Sequence, residues 1–137
     1  MNDPVPSDSP LAVVVDDDAM IRMQATEILE DAGYMVHEAK DGDQAVEMLE
    51  QHEAGVQVLF TDVEMPGSTR DGFALAREVA ERWSHIAIVV ASGRAKPQPG
   101  DLPDGATFIR KPFSAEVIYA HLRSLVPTDI QPDPLKG

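Results

Sequence analysis

Five short runs rich in apolar residues, at 11–15, 34–38, 57–61, 86–90 and 106–110, give way within two residues to polar, glycine or charged ones. Runs this short and this apolar fit strands covered on both faces. Between them lie segments of helical spacing. Ile21, Ala25, Ile28, Leu29 and Ala32 form the first. Ala45, Val46, Met48 and Leu49 form the second, and Phe73, Leu75, Ala76, Val79 and Ala80 the third, with Trp83 near its end. Val117, Ile118, His121, Leu122 and Leu125 form the last. Strands that alternate with helices require a parallel sheet with helices on both faces, and right-handed crossovers restrict it to a doubly wound α/β fold.

Local signals set the boundaries. Asp18 and Ser114 are placed as helix N-caps, Asp41 and Gln44 as a capping box, and Gly33 as a helix stop. A helix is expected between the fourth and fifth strands, but 94–105 carries Pro97, Pro99, Pro103, Gly100 and Gly105. Each interior proline costs a helix about 3 kcal/mol, so this helix is expected to be shortened or replaced by a Pro-rich loop with at most one helical turn. Residues 1–9 read as a disordered lead-in, 10–126 as one domain and 127–137 as a flexible Pro-rich tail.

The chain has 137 residues and a formal charge of -13. That field repels phosphate backbones and anionic membranes, so no direct nucleic-acid or membrane partner is expected, while basic partners and divalent cations are favoured. There is no cysteine, which excludes disulfides, thiol nucleophiles and Cys-based zinc sites. The first ten residues lack the basic and apolar regions of a secretory signal, and no apolar run approaches a membrane span, so a cytoplasmic location is expected. His37, His52, His85 and His121 share neither an i,i+4 spacing nor a strand end, and they read as strand, loop and helix-face residues.

The chemistry gathers at the strand ends. The first strand runs into Asp16 and Asp17, the third into Asp62, the fourth into Ser92 and the fifth into Lys111. In an open α/β sheet these ends line the ligand crevice. Two carboxylates 4 Å apart repel by about 4 kcal/mol even at an effective dielectric of 20, so a cation must meet them. Lys111 is one candidate. Mg²⁺, which takes carboxylates, water and phosphoryl oxygens, is the other. A carboxylate, a hydroxyl, an ammonium group and Mg²⁺ together suit phosphoryl transfer, with the carboxylate as nucleophile.

These motifs resemble those of response-regulator receiver domains, the CheY-like phosphoacceptors of two-component signalling. Val13–Asp18 resembles the acidic-pair motif and Thr61–Gly67 the phosphoacceptor motif. Ala91-Ser92-Gly93 matches the Ser/Thr switch position and Lys111-Pro112-Phe113 the Lys-Pro motif, with a cis peptide expected. The resemblance spans about 10–126 and implies a flavodoxin-like five-stranded parallel sheet of order 2-1-3-4-5. It implies that Asp62 takes a phosphoryl group from a histidine kinase or histidine phosphotransfer protein. It also implies that Asp17, Asp62 and the backbone carbonyl of Glu64 ligate Mg²⁺, with Asp16 acting through water. Lys111 would pair with the phosphoryl oxygens, Ser92 would swing to bind them, and Phe108 would be the coupled aromatic switch.

Three departures stand out: extra residues in 67–72, a Phe108 without a hydroxyl, and the Pro-rich 94–105 where receivers commonly signal. The expected protein is a single-domain regulator, monomeric or weakly dimeric. It is not an enzyme beyond its own phosphorylation and dephosphorylation, and it acts by protein–protein contact or phosphorelay on a downstream protein. A constitutive pseudo-receiver, a phosphoester hydrolase and the receiver piece of a larger regulator or hybrid kinase are the alternatives. Glu64 and Arg94 flank the site mouth, and two solvated charges are preferred there over an ion pair.

Overall fold

The computed structural model describes residues 10–136, so the expected lead-in 1–9 lies outside the described residues. Five strands, β1 (Leu11–Val15), β2 (Met35–Ala39), β3 (Val56–Asp62), β4 (Ala87–Ser92) and β5 (Ala106–Arg110), form one sheet of order β2-β1-β3-β4-β5. Every pairing is parallel. The four long helices are α1 (Ala19–Asp31), α2 (Gly42–His52), α3 (Gly72–Arg82) and α4 (Ala115–Leu125). No described helix is long and apolar enough to cross a membrane.

The central strands β1, β3 and β4 are largely apolar because both of their faces are covered, whereas the edge strand β2 carries the exposed Met35 and Glu38 and the edge strand β5 ends in the exposed Arg110. Val13, Val15, Leu59, Ile88 and Val90 point to one layer, against Ala45, Val46 and Leu49 of α2 and Leu75, Ala76 and Val79 of α3. Their neighbours Ala12, Val14, Phe60, Val89 and Ala91 point to the other, against Ala25 and Leu29 of α1 and Ile118 and Leu122 of α4. The period-two alternation therefore feeds two cores instead of one core and solvent.

The expected caps are present. Asp18 Oδ1 accepts the N–H of Met20 and Ile21, and Ser114 Oγ accepts that of Val117. At α2, Asp41 Oδ1 accepts the Gln44 N–H at 2.9 Å, but the Gln44 side chain reaches back to Lys40 N, one residue earlier than a capping box requires. Asp71 caps α3 in the same way as Asp41 caps α2, through the Ala74 N–H. No helix joins β4 to β5. The segment between them turns through positive φ at Gly100 and Gly105, and it fills the helix's place with Ala95 and Leu102 packed against the α2–α3 core.

The tail differs from expectation. Over residues 127–136 it is not a flexible end but folds back as a 3₁₀ turn (Thr128–Ile130) and one helical turn, α5 (Asp133–Lys136). Leu135 is 0 % exposed and completes the α1–α4 core. Gln131 Nε2 donates to the carbonyls of Arg123 and Val126 at the end of α4, while Arg123 Nε donates to the Leu135 carbonyl at 2.7 Å. The prolines favour this ordering, since they reduce the freedom the unfolded tail has to lose. Gly33 stops α1 at φ 105, and a Cβ there would stand 2.5 Å from Pro132 Cβ, so the same glycine makes room for the tail.

Leu135→Ala is expected to lower stability by about 2 kcal/mol or more in urea unfolding, as for other buried leucines. A change within about 0.5 kcal/mol, ordinary for a surface position, would show that the folded-back tail contributes little.

Candidate functional site

Asp16 follows the last residue of β1, Asp62 and Ser92 end β3 and β4, and Lys111 follows β5, so the parallel sheet delivers all four to one end. Carboxylate oxygens of Asp16, Asp17 and Asp62 lie within 4.8 Å of one another. Asp16 and Asp62 are 1 % and 3 % exposed, whereas Asp17 is open to solvent. Lys111 Nζ donates to Asp62 Oδ1 at 2.8 Å and to Asp16 Oδ2 at 3.0 Å. The Lys111–Pro112 peptide is cis.

Asp16 is held from several sides. Its Oδ1 accepts the Asp18 N–H at 2.9 Å, and its carbonyl accepts Arg22 Nη1 at 2.9 Å. Arg22 also pairs with Glu38 at 3.0 Å, which links α1 to β2. Arg22 has no signature in the sequence, because an arginine one turn into a helix is ordinary until the strand end is seen beside it.

Burial pushes the Asp62 carboxyl up to about 6. The Lys111 hydrogen bond opposes that rise and the Asp16 charge adds to it. For Lys111, burial pulls the pKa down, but the hydrogen bonds to Asp62 and Asp16 more than offset it and hold the ammonium above its ordinary range. One ammonium against three carboxylates leaves the cluster short of positive charge. Its donors are hard oxygens, and Asp17 leaves one side open to water. This donor set fits Mg²⁺.

The strand end carrying Asp62 is also the seat of α3. Gly72 N donates to the Val63 carbonyl at 2.9 Å, and a Cβ on Gly72 would lie 2.1 Å from the Asp62 carbonyl oxygen. The extra residues before α3 tie it to α2. Ser68 Oγ accepts the Gly42 N–H at 3.2 Å, and Thr69 Oγ1 donates to Asp43 Oδ1 at 2.6 Å. Arg70 pairs with both Asp43 and Glu78, and Arg82 links Glu78 to Glu50.

Ser92 is 0 % exposed, and its hydroxyl donates to the Glu64 carboxylate, 3.0 Å from each oxygen. Glu64 is therefore not simply solvated, and Arg94 forms no ion pair among the described residues. Phe108 sits opposite Val90, half-buried, with its ring 6.4 Å from that of Phe73. The structure also brings together two histidines that the sequence leaves apart: His37 and His52 stack at 4.7 Å on the far side of the molecule, beyond β1.

The family described as response regulator receiver domain matches residues 12–123. Sensor kinase CckA of Brucella abortus is 31% identical over 125 residues, which is 88% of this chain and 13% of that protein. Transcriptional regulatory protein PdtaR of Mycobacterium tuberculosis is 36% identical over 105 residues, 74% of this chain and 49% of its own length. The chain thus spans less than half of either relative. A chain of the CheX–CheY–BeF3–Mg²⁺ complex from Borrelia burgdorferi superposes with a TM-score of 0.74 at 26% identity, covering 88% of this chain and 89% of that one.

Two outcomes are expected of the site itself. The folded state binds the Asp62 proton more tightly than the unfolded chain, whose carboxyl has the ordinary value of 3.8. Its stabilising contribution is therefore complete below that value and is lost as pH rises through about 6. In metal-free protein the loss should be on the order of 1–3 kcal/mol by urea unfolding, and Asp62→Asn should remove it. Identical pH profiles for the two proteins would contradict the assignment. Gly72→Ala should cost about 3 kcal/mol or more, since its Cβ meets backbone that cannot yield.

Proposed function

Because the chain belongs to the response regulator receiver domain family, we propose that Asp62 is its phosphoacceptor and that the phosphoryl group comes from a histidine kinase or a histidine phosphotransfer protein. An Asp62 carboxylate oxygen forms the new bond to phosphorus as the phosphorus–nitrogen bond of the donor phosphohistidine breaks. The electron pair of that bond leaves with the imidazole. The observation that carries this reading is the Lys111 ammonium bridging Asp62 Oδ1 and Asp16 Oδ2 at the sheet end. It fixes the nucleophile in place and stands ready to follow the charge onto the phosphoryl oxygens.

Asp17, Asp62 and the backbone carbonyl of Glu64 are the proposed ligands of Mg²⁺, with Asp16 acting through water. Bound there, Mg²⁺ offsets the negative charge of the cluster and of the phosphoryl oxygens. Ser92 would donate its hydroxyl to the acquired group, and Phe108 would respond by repacking against Phe73. Phosphorylation adds roughly -1.5 to -2 charges, which Lys111 and Ser92 draw inward. The output is contact with another protein or onward phosphotransfer, from a cytoplasmic regulator. The acquired group resides on the chain itself, and no further substrate is turned over. All of these residues lie within 12–123, so the same chemistry holds whether the domain stands alone or within a longer regulator.

Incubation with acetyl phosphate and Mg²⁺, followed by intact-mass measurement, should add one phosphoryl group to the native protein and none to Asp62→Asn. Asp17→Asn should slow the reaction at least about 10-fold. An unmodified native protein would point to a constitutive binding module, and equal labelling of Asp62→Asn would move the site elsewhere.

A further inference from the structure

We propose that Glu64 is a positioning residue whose carboxylate holds the Ser92 hydroxyl in a resting orientation, and that this hydroxyl must leave Glu64 before it can bind a phosphoryl group on Asp62. The proposal rests on Asp62 being the phosphoacceptor.

A serine hydroxyl has one hydrogen and two lone pairs. Ser92 uses all three. Its oxygen accepts the N–H of Arg94 at 3.1 Å and of Ala95 at 2.8 Å, and its hydrogen lies between Glu64 Oε1 and Oε2, 3.0 Å from each. A single proton cannot serve the Glu64 carboxylate and a phosphoryl group at once. Rotation about Cβ–Oγ alone does not resolve the conflict, because the two amide bonds fix where the hydrogen points. The whole side chain must turn, and it gives up amide contacts as it does so.

Those contacts hold the first residues of the segment that replaces a helix between β4 and β5, and Ala95 is packed against the core. Turning Ser92 therefore loosens the start of this segment. Glu64 stands two residues beyond Asp62, so the loop that follows the nucleophile also sets the resting state of the hydroxyl that would report on it. Hydrogen bonds to a carboxylate are roughly twice as strong as neutral ones, which makes the resting arrangement a genuine competitor. The incoming group repels Glu64 and attracts the hydroxyl, and the released carboxylate faces a segment carrying the exposed Arg94.

The test uses the full chain with Mg²⁺ and beryllofluoride, followed by calorimetry and by the backbone amide signals of Arg94 and Ala95. Glu64→Ala is expected to tighten beryllofluoride binding about 10-fold, which is the loss of one charged hydrogen bond to compete with. In a Ser92→Ala background the same substitution should tighten binding distinctly less, by about 2- to 3-fold, because only relief of charge repulsion remains. Glu64→Gln, which keeps a neutral acceptor, should fall between. The Arg94 and Ala95 amides of Glu64→Ala should already move, without the probe, toward their bound positions in the native protein. An equal effect of Glu64→Ala in both backgrounds would reduce it to relief of charge repulsion, and unchanged or weaker binding would refute the latch outright. A native protein that binds no beryllofluoride would overturn the phosphoacceptor reading, and this inference with it.

Discussion

A single ammonium group between two buried carboxylates sets the terms for everything at the upper end of this sheet. Asp16 and Asp62 leave adjacent parallel strands, and without Lys111 their charges would face each other in a poorly solvated pocket. The lysine comes from the far edge strand, so it fastens β5 to β1 and β3 across the intervening β4. The arrangement is underneutralised by design of its parts, since Asp17 adds a third carboxylate at the solvent side. A site short of one or two positive charges suits a divalent ion and a group that changes charge when it is transferred.

Much of this was legible in the chain because it is written in local pattern. The five strands follow from apolar runs, the two-core architecture from their lack of polar alternation, and the absent helix from Pro97, Pro99 and Pro103. The acid pair, Asp62, Ser92 and Lys111 could be located because a parallel sheet converts sequence position at a strand end into spatial proximity. What escaped depends on contacts between segments that carry no periodicity. The bond from Ser92 to Glu64 spans 28 residues, and Arg22 is visible as a brace only once its helix is seen to begin beside Asp16. Gly72 is an ordinary turn glycine in the sequence, because its contact with the Asp62 carbonyl arises only from the crossover geometry. The tail reads as flexible because its composition is polar and proline-rich, yet one buried leucine and three side-chain bonds at the end of α4 suffice to fold it back.

The two unusual loops act differently. Residues 67–71 are tied down: Ser68, Thr69 and Arg70 fasten the start of α2 to α3, and a chain of exposed ion pairs continues along both helices. Individually such pairs contribute little, but together they restrict how the second and third crossovers slide past each other. The segment after Ser92 is held by Ala95 and Leu102 against the core, by Arg77 of α3 donating to the Asp101 carbonyl, and by the two amide bonds to the serine hydroxyl. Of the two, the latter is the part of the surface whose hold passes through a residue of the site.

The folded-back tail has a mechanical consequence. Its 3₁₀ turn sits at the foot of the sheet, where Gln57 at the start of β3 donates to the Ile130 carbonyl, and its prolines press on Gly33 between α1 and β2. Asp62 lies at the other end of the same β3 strand. A load applied at Lys136 is therefore borne by the lower pole of the molecule, through Leu135 and α4, before it reaches the acidic cluster. A tether, reporter or neighbouring domain joined there would hang from the pole opposite the chemistry and leave the mouth of the site clear.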